Sequence, residues 1–85
     1  MTIQEYEEKL LQLIDDGIDT ATDDELFAGG YLRGHISLAA ADCESQNESQ
    51  LSVMKEKVEQ SIADAKSELS PLDYKIVYDK WISLN

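Results

Sequence analysis

The chain has 85 residues, enough for one domain. A chain this size buries somewhat over ~60% of its unfolded surface, so the core is small and a large enclosed active site is hard to build. Hydrophobic residues make up 42% and charged residues 29%, a globular balance, and the net charge of −11 repels phosphate backbones, which argues against nucleic-acid binding.

The charge is uneven. Residues 1–46 hold 11 acids and only two bases, Lys9 and Arg33, whereas residues 47–85 hold seven acids and five bases. A basic protein partner would suit the acidic half, and solubility alone accounts for it equally well. An acidic mimic of nucleic acid fits the charge but has no independent signature. Cys43 is the single cysteine, so an intramolecular disulfide and the disulfide-rich secreted class are excluded. No stretch approaches the ~18 apolar residues of a membrane span, and no basic start leads into an apolar run. No membrane segment or secretory signal is predicted, and the cytoplasm is the expected location.

Thr2 and Glu5 have capping-box spacing, opening a predicted helix from about Ile3 to Asp16. Ile3, Tyr6, Leu10, Leu13 and Ile14 give it one apolar face. Gly17 is its natural C-cap, with Ile18 expected to close over the last turn. The stretch from Asp15 to Glu25 then holds six carboxylates and no base. It fails as a calcium loop. Counted from Asp15, the third position is Gly17; counted from Asp19, it is Ala21 and no glycine stands sixth. A solvated loop leading into an acidic first helical turn is the first account of it, and a weak, non-specific calcium or magnesium affinity is the second.

Thr22 and Glu25 repeat the capping box, with Asp23 and Asp24 in the first turn, where the helix dipole favours negative charge. The predicted second helix runs to about Ser45. Leu26, Phe27, Tyr31, Leu38 and Ala39 form its expected apolar stripe, widened by Leu32, Ile36 and Ala40. Gly29, Gly30 and Gly34 interrupt it, each costing about 0.8–1 kcal/mol against Ala in a helix interior. Gly30 and Gly34 share a face, so close approach of a neighbouring helix is the first explanation. A kink at Gly29-Gly30 is the second, and a ligand or partner backbone pressed on the glycines is the third. Neither a phosphate-binding nor a dinucleotide-binding glycine pattern is present.

Asn47 and Gln50 resemble a cap for a third helix from about Glu48 to Leu69. Leu51, Met54, Val58, Ile62, Ala65 and Leu69 form its stripe, expected to be one buried face of a bundle; left exposed, it would favour a homodimer. Ser70-Pro71-Leu72-Asp73 is a strong start signal, with a capping Ser and Pro at the first helical position. The β-branched Ile76-Val77 pair would also suit a strand, but the spacing of Val77, Trp81 and Leu84 decides for a fourth helix. The expected fold is all-α, a compact single domain over residues 1–85 with about four helices, antiparallel or partly orthogonal.

His35 is the one side chain suited to general-base work near neutrality. Ser37 points elsewhere along the helix, and Cys43 lies about two turns away. No catalytic residue, metal ligand set or cofactor site is assigned. Arg33 has a default role pairing with a carboxylate of the first helix or the acidic loop, and an alternative one binding an anion through its planar fork. Tyr74, Tyr78 and Trp81 make an aromatic ridge that suits either core packing or an interface.

The block DDELFAGGYLRGHISLAA at Asp23–Ala40, with Glu68-Leu69-Ser70-Pro71 and Trp81, resembles the YfcL family of small gammaproteobacterial proteins. The resemblance implies a small cytoplasmic helical domain and draws attention to Glu25, Gly29, Gly30, Tyr31, Arg33, Gly34 and His35. It brings no catalytic residue, cofactor or partner. Two functions are weighed. The first is a non-enzymatic module binding a protein, or a second copy of itself, through the 23–41 helix and the adjacent acidic loop. Its candidate surface is Glu25, Tyr31, Arg33, Gly34, His35, Tyr74 and Tyr78. The second is a small-ligand or anion sensor using Arg33, Tyr31 and His35, although two residues of separation set Arg33 and His35 about 200° apart around a helix.

Overall fold

In the computed structural model, which describes residues 1–85, every regular element is helical. In chain order these are α1 (Ile3–Asp16), a 3-10 turn (Ile18–Thr20), α2 (Asp23–Ser45), α3 (Leu51–Asp64), a second 3-10 turn (Ala65–Ser67) and α4 (Pro71–Leu84). The caps explain most of the boundaries. The Thr2 and Thr22 hydroxyls accept the Glu5 and Glu25 amides at 3.1 and 3.2 Å, and each Glu carboxylate accepts the amide of its Thr in return. Ser70 accepts from the Asp73 amide at 3.1 Å, ahead of Pro71 at the first helical position.

The third helix differs from expectation at both ends. Asn47 does not cap it. It takes the left-handed conformation (φ 54°) and closes α2 instead. The Glu48 amide donates to the Cys43 carbonyl at 2.8 Å and the Asn47 amide to the Glu44 carbonyl at 3.1 Å, the paired bonds of a Schellman motif. The helix therefore starts only at Leu51 and tightens into a 3-10 turn from Ala65. Its stripe does face inward: Met54, Val58, Ile62 and Ala65 are buried, with Leu51 and Leu69 half-buried. The condition that would have made this helix a dimer surface is therefore not met.

α2 is the hub. It packs against α1, α3 and α4, which touch one another far less. Its 23 residues make it about 35 Å long, comparable to the longest dimension of a flat molecule measuring 36 × 30 × 16 Å. The buried face of α2 is Ala28, Gly29, Leu32, Ile36, Ala39, Ala40 and Cys43. This is rotated from the expected stripe, since Leu26, Phe27 and Leu38 are exposed. The reason is steric: three neighbours reach one helix, and alanine and glycine let them come close.

The glycines divide accordingly. A Cβ on Gly29 would lie 3.0 Å from Ile14 Cγ2, so α1 packs tightly on Gly29 and a side chain there would have to push Ile14 aside by a few tenths of an ångström. A Cβ on Gly30 or Gly34 would meet nothing within 4 Å. Close helix packing therefore does not account for the Gly30–Gly34 pair, and α2 runs unbroken through Gly29-Gly30 rather than kinking there.

Smaller departures follow from the same flat shape. Leu13 and Ile18 remain exposed, as does Leu72 at the start of α4. From α1, Ile3, Tyr6, Leu10 and Ile14 enter the core, and from α4, Val77 and Trp81. The Tyr6 hydroxyl donates to Asn85 Oδ1 at 2.6 Å, and Asn85 Nδ2 donates to the Trp81 carbonyl at 2.8 Å, clasping α1 to the end of α4.

Candidate functional site: the outer face of α2

The predicted site residues do not converge on one place: Glu25 and Arg33 border a small pocket of about 120 Å³ beside Gly30, and the others lie elsewhere. Arg33 leaves one flank of α2 toward α1, where its Nε and Nη2 donate to the two carboxylate oxygens of Asp15 at 3.1 and 2.5 Å. This bidentate pair is the default role expected of it, and it fills the fork that an anion would need. Tyr31 and His35 lie on the opposite flank, their rings stacked 4.6 Å apart. Burial lowers the His35 pKa below its ordinary value, partly opposed by nearby Glu68, and His35 Nδ1 is buried without a hydrogen-bond partner. Burial likewise raises the Tyr31 pKa, with Glu68 adding to the shift. The three residues of the sensor reading therefore line no common pocket.

Glu25 is engaged in its capping box, where hydrogen bonds from Thr22 hold its carboxyl below the usual range. Tyr74 is half-buried against the core, and Tyr78 stacks on it at 6.2 Å and stays exposed. Trp81, expected in the same ridge, is fully buried and donates to Glu59 Oε2 at 3.2 Å. The ridge is thus mostly core. The acidic stretch forms no ligand cage. Asp15 pairs with Arg33 and Asp16 accepts from Gln12 at 2.7 Å. No group of three or more His, Cys, Asp or Glu side chains comes together as a metal site requires.

Nor is a nucleophile set beside His35. Ser37 is exposed, and Cys43 is fully buried, its thiol pKa raised by that burial.

Gly34 belongs to a different feature, the face of α2 that looks away from the core. Phe27, Gly30, Gly34, Leu38 and Ala41 all lie on it, and all are exposed. Between Glu25 and Asp42 the helix carries one charged residue, Arg33, and that residue is neutralised by Asp15 on the flank. In a molecule of net charge −11, this is a neutral, partly apolar strip. Beside its C-terminal half, an open groove of about 610 Å³ separates α2 from α3, with Leu38, Ala41 and Ser45 on its α2 side. Lys57 Nζ crosses from α3 to Asp42 Oδ2 at 2.8 Å in that groove. Phe27 and Leu38 were read as core from the sequence. The signal that marks them as outward is the run of sixteen residues without an acid, which a wet helix face in so acidic a chain would otherwise carry.

The structure defines an all-α four-helix domain with no helix long and apolar enough to cross a membrane. The YfcL family model, described as YfcL protein, matches residues 4–85, and the chain belongs to that family. It is 46% identical over 84 residues to the uncharacterized protein YfcL of Escherichia coli (strain K12), covering 96% of this chain and 91% of that one. No solved structure matches the chain.

Proposed function

We propose that the protein is a non-enzymatic binding module that takes a protein partner on the outer face of α2. The observation that carries this is the pair Gly30 and Gly34. Each loses about 0.8–1 kcal/mol of helix propensity against Ala, at a position where the fold itself would accept a side chain. A partner backbone or side chain lying against the helix gives those glycines a use. The exposed Phe27 and Leu38 supply apolar area beside them. The buried, free Cys43 and the acidic surface are compatible with a cytoplasmic setting. The geometry gives no support to a sensor built on Arg33, Tyr31 and His35.

The test is affinity capture from native cytosol with wild type and Gly34→Leu. A Cβ at Gly34 meets nothing within 4 Å and the position is exposed, so the variant is expected to fold. A stoichiometric partner held by wild type at moderate salt and lost by the folded variant supports the proposal. Loss at moderate salt alone moves the adhesive surface to the acidic stretch Asp15–Glu25. Equal capture by both proteins refutes a role for the α2 face.

A further inference from the structure

We infer that the partner on this face is a second copy of the same chain, bound as an antiparallel, two-fold symmetric α2–α2 pair centred on Gly34; the inference rests on the binding role proposed for the face. The pattern along it is the first argument. Phe27, Gly30, Gly34, Leu38 and Ala41 are separated by three, four, four and three residues, as on any helix face; what is particular is the order of sizes, large, small, small, large, small. In an antiparallel pair with the axis at Gly34, Gly34 meets its own copy. Gly30 then faces Leu38 of the second copy, and Phe27 faces its Ala41. Every large side chain meets a small one, twice over. This is the self-complementarity that an isologous interface needs, where residue i touches j and j touches i.

The groove is the second argument. It lies where the second copy's Phe27 would arrive; its apolar wall is Leu38, Ala39 and Ala41 of α2, its other six lining residues are polar or charged, and about 610 Å³ leaves room for an aromatic ring against that wall. The sequence places the knob in the first half of α2 and the hole in the second half, so one symmetric contact fills both grooves.

Charge is the third. Two copies of net charge −11 repel at most orientations. From Phe27 to Ala41 the outer face brings no free charge into the contact, since Arg33 and Asp15 pair within each copy; in the groove Lys57 pairs with Asp42, which leaves Asp64, hydrogen-bonded by Gln60, as its one acid without a cation. The same neutrality makes a strongly basic partner a poor match for this face, because nothing on it answers the charge. Area limits the strength. The fifteen residues from Phe27 to Ala41 give a strip of about 21 Å by ~10 Å, well short of the ~800 Å² per partner of a standard interface even with flanking residues added. The dimer belongs to the weak, concentration-dependent class.

Sedimentation equilibrium of the full chain, taken to about 2 mM at low and moderate salt, tests this; ordinary stable complexes lie far below such concentrations. The weight-average mass is expected to rise toward the dimer, more steeply at moderate salt because salt screens the repulsion between copies. Gly30→Leu is expected to weaken association at least tenfold, since leucine then meets Leu38. Adding Leu38→Gly to Gly30→Leu is expected to restore it, because the two positions only exchange sides. A merely structural role for either residue would not give that rescue. Under mild oxidation, Gly34→Cys should cross-link to itself, whereas Leu72→Cys, likewise exposed but on α4, should not; the buried Cys43 does not compete. A monomer at 2 mM, or association indifferent to Gly30→Leu, overturns the dimer. If such a monomer still captures another protein that Gly34→Leu loses, the dimer falls and the broader binding role stands; if it captures nothing, both fall.

Discussion

The three glycines of α2 give the most direct test of how this helix sits. Gly30→Ala and Gly34→Ala each add a Cβ into open space, so only the intrinsic helix preference changes. Each should stabilise the monomer by about 0.8–1 kcal/mol, and the pair by the sum to within the ~0.5 kcal/mol that neighbours four residues apart on one helix face can add or remove. Gly29→Ala gains the same propensity but sets its Cβ 3.0 Å from Ile14 Cγ2, at the buried end of α1. Overpacking of a filled core costs about 1–3 kcal/mol, so the net change should lie between neutral and about 2 kcal/mol destabilising. Ile14→Leu removes the γ2 methyl, and in that background Gly29→Ala should recover part of its propensity gain. Urea denaturation followed by circular dichroism, at low protein concentration, resolves these differences. One kcal/mol corresponds to roughly 4–8 °C in Tm for a domain of this size. If Gly29→Ala stabilises as much as Gly34→Ala, or Ile14→Leu shows no coupling to it, α2 is not rotated as described.

The Arg33–Asp15 pair is close to half exposed on both sides, so Arg33→Ala should cost only about 0.2–1 kcal/mol, and a double-mutant cycle with Asp15→Ala should recover most of that as coupling. Leu32 is fully buried at the centre of the hub, and Leu32→Ala should cost ~2–5 kcal/mol, a large share of the ~4–13 kcal/mol expected for a chain of this length, read as a fall in the urea midpoint. His35 has its folded pKa lowered from 6.5 by burial, so below pH 6.5 the unfolded chain binds more protons. Its contribution is therefore fully present above 6.5 and lost as pH falls through the folded pKa; the stability gap between wild type and His35→Gln should shift in favour of the variant between pH 7.5 and 5.5, and a gap that does not move with pH refutes this.

The starts of α1, α2 and α4 were legible because caps are local. Thr2 with Glu5, Thr22 with Glu25, and Ser70 with Pro71 each satisfy amides within one turn, so the sequence carries the whole device. The stripe of α3 was legible because it faces a single core with large residues. The rotation of α2 was not. Its inner face is half alanine and glycine, which add little to an apolar pattern, while Phe27 and Leu38 dominate the pattern from outside. The start of α3 was also hidden, because Asn47 serves α2 through a left-handed conformation that composition shares with an N-cap. At the candidate surface, the separation of Arg33 from His35 followed from helix geometry alone. What did not follow was which glycines were packed, since that depends on where Ile14 of α1 arrives.

The hub arrangement has a kinetic consequence. Because α1, α3 and α4 each lean on α2 and little on one another, two of them cannot form a productive nucleus without it. The rate-limiting ensemble should contain the middle of α2 already wound, with one neighbour engaged and the others arriving afterwards. Truncations at Leu32 or Ile36 should then appear mainly in the folding limb of a chevron plot, and truncation of Val77 in α4 mainly in the unfolding limb. The helix that sets how fast the chain folds would be the one whose opposite face is left free for a partner.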